Sequence, residues 1–284
     1  MPAKSARILP GFGLSLGYAT FYLSLIVLIP LAGLAAKSAG LTWQQFRDTV
    51  TSPNVVAAYK LSFTAAAAAA VLNGVFGTIA AWALVRYRFP GRKFLDAIID
   101  LPFAMPTAVA GLTFADLFAQ LPILSHVGGD EQWRIFGGLY GLDWIRITLM
   151  LTFVGLPYVI RSVQPVLQDW DVEYEQAAMS LGAGPVTILR RLIAPEILPA
   201  WLSGVALSFA RCVGEYGSLI FVTSNKPGRS QIAPHIIIDL LGDSDNAETK
   251  IARATAVGVV MLLFSLAVLV LINGLDWFVR RQAR

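Results

Sequence analysis

The residues best suited to chemistry are Arg211 and Glu215, two opposite charges within the apolar stretch GVALSFARCVGEYGSLIFV. A charged side chain at the centre of a bilayer costs roughly 2.5–3.5 kcal/mol on insertion scales, so both are expected to face the interior of a helix bundle. Four residues apart on a helix, they can pair with each other. The pair either holds its helix in register, or Arg211 presents positive charge to a passing oxyanion while Glu215 holds the arginine in place.

Other motifs associated with catalysis are not supported. The run Gly13–Gly17 matches the G-x-S-x-G nucleophile pattern, but Ser15 begins an apolar helix and not a strand-turn-helix elbow, so its glycines fit better as a small-residue helix contact. His126, His235 and Cys212 have no metal-ligand spacing, and a single cysteine excludes an intrachain disulfide. The sequence has no GxxxxGK[ST] phosphate loop, so any ATP-driven process must draw on another polypeptide. We therefore expect no catalytic residue, no metal and no cofactor bound by this chain.

The composition is that of a membrane protein. Of 284 residues, 56% are hydrophobic and only 14% charged, and the mean hydropathy is +0.64. Ordinary soluble domains are far more polar. The net charge of +4 then reflects basic loops and not a nucleic-acid-binding face.

Runs of about 20 apolar residues, the length that spans a bilayer, predict an all-α polytopic bundle in a single domain. The first run follows Lys4 and Arg7 and is too long for a signal-peptide core, which favours an uncleaved span. The six predicted spans lie near 12–36, 60–85, 95–118, 144–166, 200–222 and 253–279.

Clusters of Lys and Arg predict the orientation, because such residues accumulate on the cytoplasmic side of a membrane. With six spans, the basic clusters at both termini, in 86–93 and at Arg190 and Arg191 all lie on one side. Both termini are therefore predicted to be cytoplasmic. Arg161, near one end of the fourth span, is expected to anchor at the membrane interface.

Two of the predicted spans have a distinctive composition. Ala65–Ala70, followed by Gly74 and Gly77, offers a small-residue surface that a neighbouring helix can approach closely. The third span contains Pro102 and Pro106, which free backbone carbonyls from helical hydrogen bonds. Such a helix either lines a path across the membrane or has an ordinary packing kink.

A polar interruption, DVEYEQAAMSLGAGPVTILRRLIAPEILP, separates the fourth and fifth spans. Asp169 and Asp171 are candidate N-caps of a short helix that Gly182 and Gly184 end. A second short helix is expected from Pro185 to Pro195, which predicts a helical hairpin outside the membrane, within 169–199. An apolar stripe on the first helix is expected at Tyr174, Ala177, Ala178 and Leu181.

This interruption resembles the cytoplasmic EAA loop of bacterial ABC-importer permeases, through A-A-x-x-L-G-A and its spacing to Leu192–Pro195. The resemblance implies that the loop docks on an ATPase subunit, whereas the pattern alone also fits a packed surface loop. The usual glutamate position of the motif holds Gln176, with Glu175 one residue earlier, so either side chain is a candidate for the polar contact. The residues that the resemblance assigns to coupling are Tyr174, Glu175, Gln176, Ala177, Ala178, Leu181, Gly182 and Ala183.

Three runs, RSVQPVLQDWDVEYEQAAMSLGA, GVALSFARCVGEYGSLIFV and LPFAMPTAVAGL, narrow the resemblance to the sulfate/thiosulfate permeases, and within them to the T-type subunit. The molybdate permease is similar too and shares the R-x-x-x-E element. The resemblance implies an inner-membrane importer without enzyme activity of its own. Its implied partners are a W-type permease, two ATPase subunits that bind ATP and Mg, and a periplasmic binding protein that selects the anion.

Two other classes remain open. In a self-sufficient secondary carrier, Arg211 and Glu215 would form an ion-coupled site, but a carrier has no need of a docking hairpin. A molybdate, tungstate or other oxyanion permease differs from the sulfate reading only in its cargo. For the importer, the candidate anion path comprises Arg211, Glu215, Pro102 and Pro106.

Overall fold

The structure, a computed structural model, describes residues 12–121, 134–135, 139–242 and 246–282, and helices account for most of them. Lys4, Arg7, His126 and Arg284 lie outside the described residues. Two short strands, β1 (Arg134–Ile135) and β2 (Leu139–Tyr140), pair in antiparallel register. The helices are α1 (Phe12–Ser38), α2 (Trp43–Val50), α3 (Pro53–Arg86), α4 (Arg92–Ile99), α5 (Leu101–Ala104), α6 (Thr107–Gln120), α7 (Gly141–Asp169), α8 (Glu173–Ser180), α9 (Pro185–Ile188), α10 (Ala194–Val213), α11 (Leu219–Val222), α12 (Ala233–Gly242) and α13 (Ala247–Gln282). The predicted all-α bundle is confirmed.

Five continuous helical stretches among the described residues are long and apolar enough to cross a membrane. They overlap the first, second, fourth, fifth and sixth predicted spans. They are Phe12–Ser38, Pro53–Arg86, Leu142–Asp169, Pro185–Val213 and Ala247–Gly274.

The third predicted span, 95–118, is wrong as a continuous helix. The segment is divided into α4, α5 and α6, with Met105 in an extended conformation (φ −81°, ψ 134°). Pro106 explains the break, because it lacks an N–H and forces the residue before it out of the helical region. Pro102 lies in the first turn of α5, where a missing N–H costs no hydrogen bond.

The second arm of the predicted hairpin is also different in the structure. Pro195 does not close a separate helix, because a π-helical turn (Leu189–Ile193) joins α9 to α10 without a break. The wider turn shifts the backbone hydrogen bonds, with the Ala194 N–H bonded to the Leu189 carbonyl, and so accommodates the proline ring. The second arm is therefore the N-terminal part of the fourth apolar helix, Pro185–Val213.

That helix ends earlier than the predicted span 200–222. α10 stops at Val213, and residues 214–218 form a turn before the short α11. Gly214 lies at the end of α10, and the backbone N–H of Ser218 bonds to the Glu215 carboxylate at 3.1 Å. The glutamate therefore stabilises a turn and not a helix.

α3, α7 and α10 form the centre of the bundle. The predicted small-residue surface of α3 is confirmed, since Ala65, Ala66 and Ala69 are fully buried and the indole Nε1 of Trp201 donates to the Gly74 carbonyl at 2.9 Å. Gly74 and Gly77 allow α10 and α7 to approach α3 closely. Towards one end, α3, α7, α9 and the π-helical turn share a set of buried side chains that we call the second cluster: Ala81, Leu84, Val159, Ile160, Val163, Leu167, Ile188 and Ile193.

The three central helices meet at a buried polar junction. Asn73 of α3 donates to the Ser208 hydroxyl of α10 at 3.0 Å, and the Cys212 thiol lies 3.3 Å from the Leu151 carbonyl of α7. Gly155 of α7 faces this junction, and a Cβ there would collide with the Ser208 hydroxyl and the Asn73 amide.

We therefore predict that Gly155→Ala destabilises the protein. The added methyl group must displace backbone or break the Asn73–Ser208 hydrogen bond, and overpacking of this kind costs about 1–3 kcal/mol. Thermal unfolding of the purified protein measures the effect. Gly17→Ala is the matched control, because a Cβ at this helical glycine has open space. Equal unfolding midpoints for the two variants would contradict this account of the junction.

Candidate functional site

The predicted coupling segment forms the short helix α8, a tight turn, and the first residues of the apolar helix Pro185–Val213. The Asp171 carboxylate accepts a hydrogen bond from the Glu173 N–H at 2.9 Å just before α8, but the N-cap position of this helix is Val172, so the prediction of Asp171 as the N-cap is wrong by one residue. Asp169, the other predicted cap, is instead the last residue of α7. Gly182 follows α8 with φ +85°, a conformation that favours glycine, and the Ala183 N–H bonds back to the Ala178 carbonyl at 3.0 Å.

The predicted apolar stripe of α8 is divided between two faces. Tyr174 and Leu181 are 63% and 90% exposed, and Ala177 is also exposed. Ala178, by contrast, packs on the second cluster, as does Ala183. The predicted stripe therefore differs from the structure at Ala178, which is packed against the bundle while the other three residues are exposed. The helical spacing alone could not separate Ala178 from Tyr174, because residues four apart lie on the same side of a helix.

The exposed apolar surface is also broader than the sequence pattern indicated. Met179, Val186 and Leu189 are 55%, 67% and 45% exposed and lie in the same segment as Leu181. An apolar surface on a polar segment is typical of a protein contact. We call residues 171–189 the coupling segment and its exposed apolar side chains Tyr174, Met179, Leu181 and Val186 its outer face, although Met179 lies on a different side of α8 from Tyr174.

Glu175 faces inwards and is already engaged by other groups. It forms an ion pair with Arg86 at the end of α3 and accepts a hydrogen bond from the Trp170 indole at 2.8 Å. Both charged side chains are only 18% exposed, and the Arg86 guanidinium lies 5.0 Å from the centre of the Trp82 ring. Gln176 is exposed, so it is the polar side chain of this pair that a partner can reach.

A second charged network lies at the same end of the bundle. Arg161 of α7 binds the Asp100 carboxylate through two nitrogens, at 2.9 and 2.7 Å, and contacts Asp96 of α4 at 2.7 Å. The Gln164 amide oxygen accepts a further hydrogen bond from Arg161 at 2.6 Å. Arg161 therefore fixes the inner part of the broken third segment to α7, a role that the sequence did not predict, while its anchoring at the membrane interface stays a prediction.

Arg211 and Glu215 meet as predicted, but at the end of α10 and not within a helix. The Arg211 Nη1 and Glu215 Oε2 atoms are 2.6 Å apart, and the Ser218 hydroxyl donates to the other carboxylate oxygen at 3.0 Å. The Glu215 side chain is 2% exposed and that of Arg211 34%. Glu215 therefore holds one side of the guanidinium, while part of Arg211 stays accessible.

The break after α5 lies beside the turn that holds Glu215. A Cβ on Gly217 would collide with the Thr107 hydroxyl, and a Cβ on Gly111 would collide with the Ser218 backbone. α6 and the 214–218 turn therefore touch along their backbones. Pro106 is exposed immediately before this contact, whereas Pro102 is half-buried in α5, further from it in sequence.

Within the described part of the chain, the predicted small-residue contact is not found at Gly17. Both glycines lie in α1, and a Cβ on Gly17 would have no neighbour within 4 Å. Ser15 is exposed on the same helix.

Comparisons with known proteins agree with this architecture. A family model described as the binding-protein-dependent transport system inner membrane component matches residues 73–284. The sulfate transport system permease protein CysT of Salmonella typhimurium is 42% identical, over 94% of this chain and 95% of its own length. The CysT proteins of Escherichia coli and of a Synechocystis strain are 43% and 41% identical, over 93% and 92% of this chain.

Solved structures support the fold. A bacterial alginate ABC transporter, crystallised in complex with an alginate-pentasaccharide-bound periplasmic protein, contains a chain that superposes with a TM-score of 0.70. The alignment covers 93% of both chains at 16% identity, so it concerns the fold alone. Since the family model spans most of the sequence and several relatives exceed 40% identity, this chain belongs to the family of binding-protein-dependent transport system inner-membrane components.

Proposed function

We propose that this chain is a permease subunit of an ATP-driven importer that carries sulfate or thiosulfate across the bacterial inner membrane. The single observation that carries the coupling part of this proposal is the outer face of the coupling segment, with Leu181 90% exposed. The names and near-full-length identity of the CysT relatives support sulfate over molybdate or tungstate as the cargo.

The outer face is proposed to dock on a separate ATPase subunit, which binds ATP and Mg. An apolar side chain as exposed as Leu181 gains free energy when a partner covers it, at about 25 cal/mol per Å² of apolar area. Other side chains of the segment, Glu175, Ala178 and Ala183, contact the bundle. We propose that a movement of the ATPase subunit against the outer face is passed to α3 and α7 through these contacts.

The anion path is proposed to pass Arg211. An arginine binds oxyanions through charged hydrogen bonds, and partial exposure leaves some of its donors available. The ion pair with Glu215 reduces its net attraction for an anion, which suits a path, because cargo that binds too tightly is not released. The backbone contact between α6 and the 214–218 turn links this position to the break at Met105 and Pro106.

The assembly is proposed to contain a second, W-type permease, two ATPase subunits and a periplasmic binding protein, with both termini of this chain in the cytoplasm. ATP binding closes the ATPase dimer, the coupling segments move with it, and the bundle opens outwards to receive the anion. Hydrolysis reverses the motion.

The proposal assigns no catalytic residue, metal or bound cofactor to this chain. A self-sufficient carrier has no ATPase partner, so the exposed Leu181 would have no binding role in it.

We predict that Leu181→Glu abolishes the stimulation of ATP hydrolysis by the anion-loaded binding protein. A carboxylate in place of a docked leucine must be desolvated without a partner, which opposes docking. ATP hydrolysis by the reconstituted complex, with and without loaded binding protein, measures the effect. Leu181→Met is the matched control and keeps the stimulation, because it conserves apolar volume. Full stimulation in Leu181→Glu would contradict the docking proposal.

We also predict that Arg211→Gln lowers sulfate uptake by roughly tenfold, the value of one charged hydrogen bond, without a matching loss of assembled complex. Radiolabelled sulfate uptake into proteoliposomes is compared with the amount of complex recovered by size exclusion. Arg211→Lys keeps the charge and is expected to retain more uptake than the glutamine variant. If uptake and assembly fall together, the pair with Glu215 is purely structural and the path assignment is wrong.

A further inference from the structure

α4 has two chemically different faces, and the rest of the chain covers only one of them. On the covered face, Asp96 contacts Arg161 and Ile99 packs on the second cluster. At about 100° per residue, Phe94 and Ile98 lie on the opposite face, with Leu95 beside them. These three side chains are 69%, 38% and 46% exposed. α4 is therefore held in place with an apolar face directed away from the bundle.

Three cations lie at the N-terminal end of α4, beside this face and not on it: Arg88 in the loop before the helix, and Arg92 and Lys93 in its first turn. The neighbouring charged residues form ion pairs with other parts of the chain: Arg86 pairs with Glu175. Asp96 and Asp100 both pair with Arg161. Among the described residues, none of the three cations takes part in an ion pair. Positive charge without a protein partner therefore lies next to exposed apolar surface.

We propose that this surface, Arg88, Arg92, Lys93, Phe94, Leu95 and Ile98, docks anionic phospholipids. Apolar side chains beside cations match the acyl chains and the phosphate of a lipid, and a guanidinium binds phosphate through paired hydrogen bonds. Lys93 favours lipid over a protein partner, because lysine is depleted at the centre of protein interfaces, whereas the arginines and Phe94 suit either. The lipid occupies the same end of the bundle as the coupling segment, since Ile99 of α4 and Ala178 of α8 both pack on the second cluster.

The proposal concerns the surface of a membrane-embedded chain and does not depend on the cargo or on the ATPase partner. Basic residues near an anionic bilayer surface gain roughly 1 kcal/mol each, which corresponds to about a fivefold preference per charge. Three such residues are therefore expected to select an anionic over a zwitterionic headgroup by at least fivefold.

Quenching by spin-labelled lipids tests this directly. Phe94→Cys, in a Cys212→Ser background, is labelled with a bimane fluorophore on the full-length chain together with its copurifying subunits, in phosphatidylcholine nanodiscs. Cys212 is only 2% exposed, and its replacement leaves a single labelling position in this chain. We expect spin-labelled phosphatidylglycerol to quench the fluorophore at a mole fraction at least fivefold lower than spin-labelled phosphatidylcholine.

The variant Arg88→Gln/Arg92→Gln/Lys93→Gln is expected to remove this preference while quenching by phosphatidylcholine continues, which shows that the face still meets lipid. Arg190→Gln/Arg191→Gln removes two exposed cations elsewhere and is expected to keep it. Equal quenching by both lipids in the parent protein would overturn the proposal. So would the absence of quenching, which means that protein covers the face, or a preference that survives in the triple variant.

Discussion

The ion pair between Arg86 and Glu175 is the constraint on which the rest of this account depends. It joins the end of the longest central helix, α3, to the short α8, and the Trp170 indole binds the same carboxylate from the end of α7. Because both charged side chains are largely buried, losing one of them leaves the other poorly solvated and unpaired. The inner face of α8 is fixed by this contact, and its outer face is left for a partner.

The second constraint is the division of the third apolar segment at Pro106. Arg161 binds the inner part, α4 and its C-terminal Asp100, to α7, whereas the outer part, α6, touches the 214–218 turn. The two parts thus belong to different neighbours, with an extended Met105 between them. Since Glu215 stabilises that turn and also holds Arg211, the turn that α6 touches also positions the guanidinium proposed to meet the anion.

Local patterns were sufficient for much of this architecture. Hydrophobic runs predicted the long helices, and the polar composition of 169–199 identified the segment that contains α8. Interactions between residues distant in sequence were not predictable: 89 positions separate Arg86 from Glu175, and Asp96 and Asp100 lie more than 60 positions before Arg161. No local signal distinguishes an engaged glutamate from an exposed one, which is why Glu175 and Gln176 remained equivalent candidates. The π-helical turn was missed for another reason, because Pro195 normally ends a helix and here the backbone widens instead.

A charge exchange tests the central constraint most directly. Sulfate uptake is measured in proteoliposomes that contain Arg86→Glu, Glu175→Arg or both substitutions, at matched amounts of assembled complex. Each single substitution places like charges together in a largely buried site, so uptake should fall by at least about tenfold. The double substitution restores an attractive pair and should recover a substantial part of the uptake. A double variant as inactive as the single ones, or single variants with full uptake, would contradict the claim that this pair links α8 to the bundle.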